Sequence, residues 1–321
     1  MNRPKFPQLE TLETHELVAC FLITFATMLS FYTIFPRATH FVFADDVSTL
    51  TAEKINPYQT ITLSAKAAYV YDLAENRPLY SSNADEPLAL ASLTKVMTAL
   101  TAIELIPAYT VVTIGNDDLA EEGDSGLFGD ERWKLKDLLD YSLVVSSNDG
   151  ARAVASVAGS VDLGTEKSQL GREGFIARMN EKAKEIGLLE THFSNENGLD
   201  VAEASGGAYG SARDMAKLFG YIIENHPELL EATRYDTLTF TSLSNLVHEA
   251  KNTNTKIGEI PGLVASKTGF TDLSGGNLVI IFNSEVNRPI AVVVLGSTYE
   301  GRFDDVLSLV KATFQTIAQT D

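Results

Sequence analysis

The spacing of apolar residues changes character twice along this chain, and that order restricts the fold more than any other feature. Residues 65–71 and 79–80 read as short strands around Glu75-Asn76-Arg77-Pro78, which predicts a hairpin. A helical block follows, over about 92–105, 135–145, 151–158, 175–186 and 212–223, with apolar residues recurring three and four apart. β-rich runs then return at 264–268, 277–282 and 290–295, the last two joined through 283–289. A final amphipathic helix over about 303–318 turns Phe303, Val306, Leu307, Val310, Phe314 and Ile317 to one side. Strands at both ends with helices between them predict an α+β domain. One antiparallel sheet is assembled from both ends of residues 45–321, flanked by helices, with an all-helical subdomain inserted.

Residues 17–35 form a run of 19 without a charge. As a helix it spans roughly 28 Å, close to the thickness of a bilayer core. Two readings compete. The run is an uncleaved signal anchor, or residues 1–44 are a signal peptide cut after Ala44. Its length favours the anchor, and both readings place the rest of the chain outside the cytoplasm.

The formal net charge of −18 argues against a nucleic-acid partner, which needs clustered Lys and Arg. Cys20 is the one cysteine, so no intramolecular disulfide exists. His15, His40, His192, His226 and His248 are scattered without metal-ligand spacing, and no metal site is expected.

Three short motifs carry chemistry. In Ser92-Leu93-Thr94-Lys95 the spacing places both side chains on one helical face. A serine hydroxyl needs a base within hydrogen-bond reach, and a lysine serves if burial lowers its pKa. Ser146-Ser147-Asn148 falls between two expected helices, where Ser146 can relay a proton and Asn148 can bond a peptide carbonyl. Lys267-Thr268-Gly269 lies on an expected strand. Lys267 and Thr268 suit a carboxylate, and Gly269 admits a ligand backbone. The backbone N–H groups of Ser92 and Phe270 are the expected oxyanion hole.

Each motif alone has a plain structural explanation, as a helix cap, a loop or an edge strand. Ser308/Lys311 repeats the first spacing but reads as solvent-facing, and Ser81-Ser82-Asn83 repeats the second but reads as a turn. The order helix start, inter-helix loop, strand is what selects the set. It is the pattern known for penicillin-binding proteins and serine β-lactamases.

Over about residues 62–318 the chain resembles the low-molecular-weight penicillin-binding proteins, specifically the S11-type D-alanyl-D-alanine carboxypeptidases. Residues 90–99 are similar to that family's nucleophile helix. Gly126-Leu127, Gly129-Asp130-Glu131 and Lys136-Asp137-Leu138-Leu139 are similar to its approach to the second motif. Phe193-Ser194-Asn195, Asn197-Gly198-Leu199-Asp200 and residues 211–216 resemble its later segments. The resemblance implies a β-lactamase/transpeptidase-like fold, with Ser92 as acylated nucleophile and Lys95 as proton acceptor. It implies Ser146 and Asn148 as site residues and Lys267 as carboxylate binder. It implies a peptidoglycan stem pentapeptide as substrate, β-lactams as covalent inhibitors and no cofactor; membrane contact is expected from the apolar run 17–35 itself. Some members carry His at the position of Phe270, and many continue into a C-terminal β domain that is not expected here.

The nearest rivals use the same machinery: D,D-endopeptidase or transpeptidase. A class A β-lactamase needs a Glu that activates deacylating water, and Glu173, seven residues before Asn180 in an expected helix, does not fit. A catalytically silent wall-binding protein is the rival of a different kind.

Overall fold

Strands β1 (Ala67–Asp72) and β2 (Arg77–Ser82) form the expected hairpin, but its turn lies earlier than the prolines and charges suggest. In this computed structural model, which describes residues 56–123 and 125–320, the turn occupies residues 73–76. Asp72 Oδ1 accepts the backbone N–H groups of Ala74 and Glu75, at 3.1 and 3.0 Å. Asn76 takes the positive φ of 51° that the turn needs. Pro78 pairs with Tyr71, and a strand proline is tolerated there because β2 is an edge strand. The apolar run 17–35 and Ala44 lie outside the described residues.

Two-residue β3 (Leu88–Ala89) leads through a 3-10 turn, Ala91–Leu93, into helix α1 (Thr94–Leu105). Strands β4 (Val111–Thr113) and β5 (Arg132–Lys134) pair, and α2 (Leu135–Val145) follows over the span its periodicity predicts. α3 (Asn148–Leu163) starts before the expected 151 because Ser147 caps it, accepting Gly150 N–H at 2.9 Å. α4 (Ser168–Ile186) likewise begins before its first apolar residue. Short β6 (His192–Phe193) and β7 (Ala208–Gly210) pair, and α5 (Ala212–Asn225) is capped by Ser211, which accepts Asp214 N–H at 3.1 Å. A hairpin of β8 (Thr237–Thr241) and β9 (Val247–Lys251) precedes β10 (Leu263–Thr271), β11 (Gly275–Glu285), β12 (Arg288–Ser297) and α6 (Gly301–Thr320).

The main sheet has the order β10-β11-β12-β1-β2, antiparallel throughout, so both ends of the domain build it as expected. Its central strands are buried on both faces, which is why they read as nearly continuous apolar runs. Along β12, Ala291, Val293 and Leu295 face the helical block, while Ile290, Val292 and Val294 face α6. α6 contributes Phe303, Val306, Leu309 and Val310 to that second core, while Ser308 and Lys311 are exposed. Among the described residues no helix is long and apolar enough to cross a membrane.

Candidate active site

Three segments from distant parts of the sequence meet at Ser92. Ser92 sits in the 3-10 turn just before α1, half-buried, rather than in the α-helix itself. Ala91 before it has φ 48°, unusual for a residue with a Cβ, and its neighbours hold it there. Asn277, fully buried in β11, donates to the carbonyls of Ala89 and Leu90 at 2.9 and 3.1 Å and accepts Gly296 N–H at 2.8 Å. Gly198 lies so close that a Cβ there would meet the Ala91 carbonyl oxygen at 1.9 Å.

Lys95, one turn along, donates to Ser92 Oγ at 2.8 Å, Asn148 Oδ1 at 2.6 Å and the Asn197 carbonyl at 2.7 Å. Burial pushes its ammonium down to about 7, against the opposing pull of Glu196, Glu121 and Asp149. An amine that titrates near neutrality beside a serine hydroxyl can accept the hydroxyl proton.

Ser146 is the left-handed residue that ends α2, with φ 63°. Its Oγ accepts from Lys267 Nζ at 2.9 Å, so the structure brings Ser146 first to the strand lysine. Asn148 lies in the first turn of α3, not in a loop; besides taking Lys95 it donates to the Glu122 carbonyl at 2.6 Å. The second N–H of this amide is the donor that a peptide carbonyl can take while Glu122 stays in place.

Lys267 and Thr268 stand on β10, an edge strand of the sheet, with Lys267 buried. Lys267 also donates to the Thr268 carbonyl at 2.9 Å, and the Thr268 hydroxyl shares a hydrogen bond with Thr253 at 2.6 Å. Burial first, then the charges of Lys95 and Arg302, hold the Lys267 ammonium well below its ordinary value. Burial is the largest cause at both lysines. A Cβ at Gly269 would stand 2.8 Å from the Leu90 carbonyl oxygen and 3.3 Å from Ser92 N, so only glycine lets β10 lie against the turn that carries Ser92. This contact places the Ser92 and Phe270 segments side by side. The Phe270 ring is 42% exposed and meets Tyr299 edge-on at 5.0 Å.

Sequence reasoning missed several contributors. Arg302, buried at the start of α6, donates to the Gly269 carbonyl at 2.9 Å and lies over the Tyr299 ring. Thr253 and Asn277 carry no motif; a lone Asn inside an apolar strand run was the one available signal for the latter. Asn197 acts through its backbone, which side-chain chemistry does not reveal. Among the described residues no group of three or more His, Cys, Asp or Glu is placed to hold a metal ion.

A five-stranded antiparallel sheet interrupted by a helical insertion, with its cleft between insertion and edge strand, is the fold of the penicillin-binding proteins and D,D-transpeptidases. The chain belongs to the Peptidase S11 family, described as D-alanyl-D-alanine carboxypeptidase, whose model matches residues 52–298. It is 32% identical over 262 residues to the D-alanyl-D-alanine carboxypeptidase DacC of Escherichia coli, covering 76% of this chain and 60% of that one. It is 30% identical over 266 residues to DacF of Bacillus subtilis, also a D-alanyl-D-alanine carboxypeptidase, covering 78% and 62%. The chain thus spans less than two thirds of these relatives' lengths. Penicillin-binding protein D2 from Listeria monocytogenes, solved in its ampicillin-bound form, superposes with a TM-score of 0.66 at 29% identity, covering 79% of this chain and 98% of that one.

Proposed function

We propose that the chain is a serine D-alanyl-D-alanine carboxypeptidase that removes the terminal D-Ala from peptidoglycan stem peptides. The observation that carries the reading is the 2.8 Å contact between Ser92 Oγ and a buried Lys95 that titrates near neutrality. Lys95 takes the Ser92 proton as Oγ bonds to the carbonyl carbon of the penultimate D-Ala. The N–H groups of Ser92 and Phe270 stabilise the oxyanion. The C–N bond then breaks, and the terminal D-Ala amine leaves with a proton delivered through Ser146. Water hydrolyses the acyl-enzyme, and its proton returns to Ser92. Lys267 and Thr268, with Arg302 bonded to the neighbouring Gly269 carbonyl, suit the substrate's terminal carboxylate.

β-Lactams acylate Ser92 in this reading; the ampicillin-bound relative supports it. Residues 17–35 anchor the chain in the membrane with the catalytic domain outside the cytoplasm, on the strength of their length and lack of charge alone.

The test uses the full-length chain with a stem pentapeptide and with a cross-linked stem dimer, and identifies products by mass. Tetrapeptide and free D-Ala from the first support the reading. Cleavage of the dimer alone would make the enzyme an endopeptidase. No product and no penicilloyl adduct would leave a silent wall-binding protein.

A further inference from the structure

Lys95 does not hold itself in place. Two of its acceptors, Asn148 Oδ1 and the Asn197 carbonyl, come from different segments, and both residues are gripped by consecutive residues of the connection between β4 and β5. Glu122 accepts Asn148 Nδ2 on its carbonyl at 2.6 Å. Glu121 accepts Asn197 Nδ2 on Oε2 at 2.8 Å, and its Oε1 is ion-paired with Arg152 of α3. Asn197 is nearly fully buried, and its Oδ1 accepts Leu199 N–H at 2.9 Å, so both ends of its amide are engaged. Arg152 lies in turn 4.0 Å from Asp118.

We propose that Glu121 is a positioning residue for the catalytic lysine: its carboxylate fixes Asn197 beneath Lys95, and Arg152 sets how much of that carboxylate's charge Lys95 feels. The proposal deepens the acyl-transfer reading and rests on Lys95 as the base. Glu196, Glu121 and Asp149 face Lys95 with negative charge, and each favours its protonated form. Lys267 faces it from β10, with Arg152 behind Glu121. Glu121 is the member of this set that also holds a lysine ligand through a side-chain hydrogen bond, so geometry and charge are joined in one residue. A carboxylate here works against the base below neutral pH. The ion pair with Arg152 offsets that cost while the hydrogen bond to Asn197 stays in place.

The experiment measures acylation of the full-length chain by a fluorescent penicillin against pH, in the wild type, Glu121→Gln, Glu121→Ala and Arg152→Ala. Glu121→Gln keeps an oxygen for Asn197 and loses the charge. Its acid limb moves to lower pH by roughly half a unit, with the plateau within about threefold of wild type. Glu121→Ala frees Asn197, and its plateau falls roughly tenfold. Arg152→Ala leaves the Glu121 charge uncompensated, and its limb moves to higher pH. Shifts of opposite sign are the signature, since a purely structural defect lowers rates without moving titrations apart. Lys95 is also read without acylation, from the pH dependence of melting in each background against the same background carrying Lys95→Met. Coincident titrations in wild type, Glu121→Gln and Arg152→Ala overturn the proposal. Absence of any penicilloyl adduct overturns the carboxypeptidase reading instead, and the melting series still decides on Glu121.

Discussion

Lys267 and Ser146, 121 positions apart in the sequence, are joined by a 2.9 Å hydrogen bond, which closes the strand motif onto the inter-helix motif across the cleft. Among the described residues the hydrogen bonds of Lys267 go to Ser146 Oγ and the Thr268 carbonyl, and no carboxylate pairs with it. Burial and the nearby charges of Lys95 and Arg302 make its protonation costly until an anion arrives.

Binding of a carboxylate is therefore expected to draw a proton into the site. In Ser92→Ala, calorimetric titration with a D-Ala-D-Ala peptide in buffers of different ionisation enthalpy should reveal net proton uptake at alkaline pH below the ordinary lysine value. The uptake should vanish in Lys267→Met. Zero uptake in the parent would show that Lys267 is already charged in the empty site.

The base itself makes a prediction of definite sign. With Lys95 held at about 7, the rate of penicillin acylation should climb through that pH and level off above it. Lys95→Arg should lose activity by several orders of magnitude, because guanidinium stays protonated. Stability runs in the same direction. The unfolded chain binds the proton that folded Lys95 releases between about 7 and the ordinary 10.5, so stability rises with pH in that window, by at most about 1.4 kcal/mol per unit. Lys95→Met should flatten this rise in chemical denaturation; an unchanged slope would contradict the lowered pKa.

Two serines share the same spacing to a lysine, and Ser92 is the one hydrogen-bonded to a buried lysine. Ser92→Ala should abolish penicilloyl adducts seen by mass, while Ser308→Ala, exposed on α6 with Lys311, should label at the wild-type rate. Labelling that survives in Ser92→Ala would remove Ser92 from the nucleophile role.

The three motifs were legible because each consists of side chains whose chemistry is visible in the residue name. The two-sided burial of β11 and β12 made the sheet's centre equally plain. Boundaries slipped where polar residues begin a helix. Ser147-Asn148-Asp149-Gly150 reads as a loop, yet Ser147 caps α3 and draws Asn148 into its first turn. The hairpin of β8 and β9 was not visible, since Thr237–Thr241 and Val247–Lys251 bury only alternate residues against a small surface. What supports the site was least legible: Asn197 gives a carbonyl, Thr253 meets Thr268 only in three dimensions, and Arg302 lies in the first turn of a helix that reads as ordinary packing.

For the N-terminal run, protein taken from native membranes should carry residues 17–35 intact when its mass is measured. A mature N-terminus at Asp45, with the enzyme in the soluble fraction, would defeat the anchor and leave the catalytic proposal untouched.

Asn277 tests how far the sheet core governs the nucleophile. Its side chain is fully buried and engages three backbone groups: the carbonyls of Ala89 and Leu90 and the N–H of Gly296. The first two lie one and two residues before strained Ala91, so the amide holds the turn that presents Ser92. Asn277→Ala leaves buried polar groups unpaired and should cost about 2–4 kcal/mol in denaturant unfolding. Asn277→Asp supplies acceptors where the Ala89 and Leu90 carbonyls need donors, and a buried charge besides, so it should cost more. At a temperature where Asn277→Ala remains folded, acylation should fall at least tenfold, because the oxyanion donors and Ser92 Oγ shift together. A folded Asn277→Ala that acylates at the wild-type rate would show that Gly198 and Gly269, packed against the same turn, suffice to hold it.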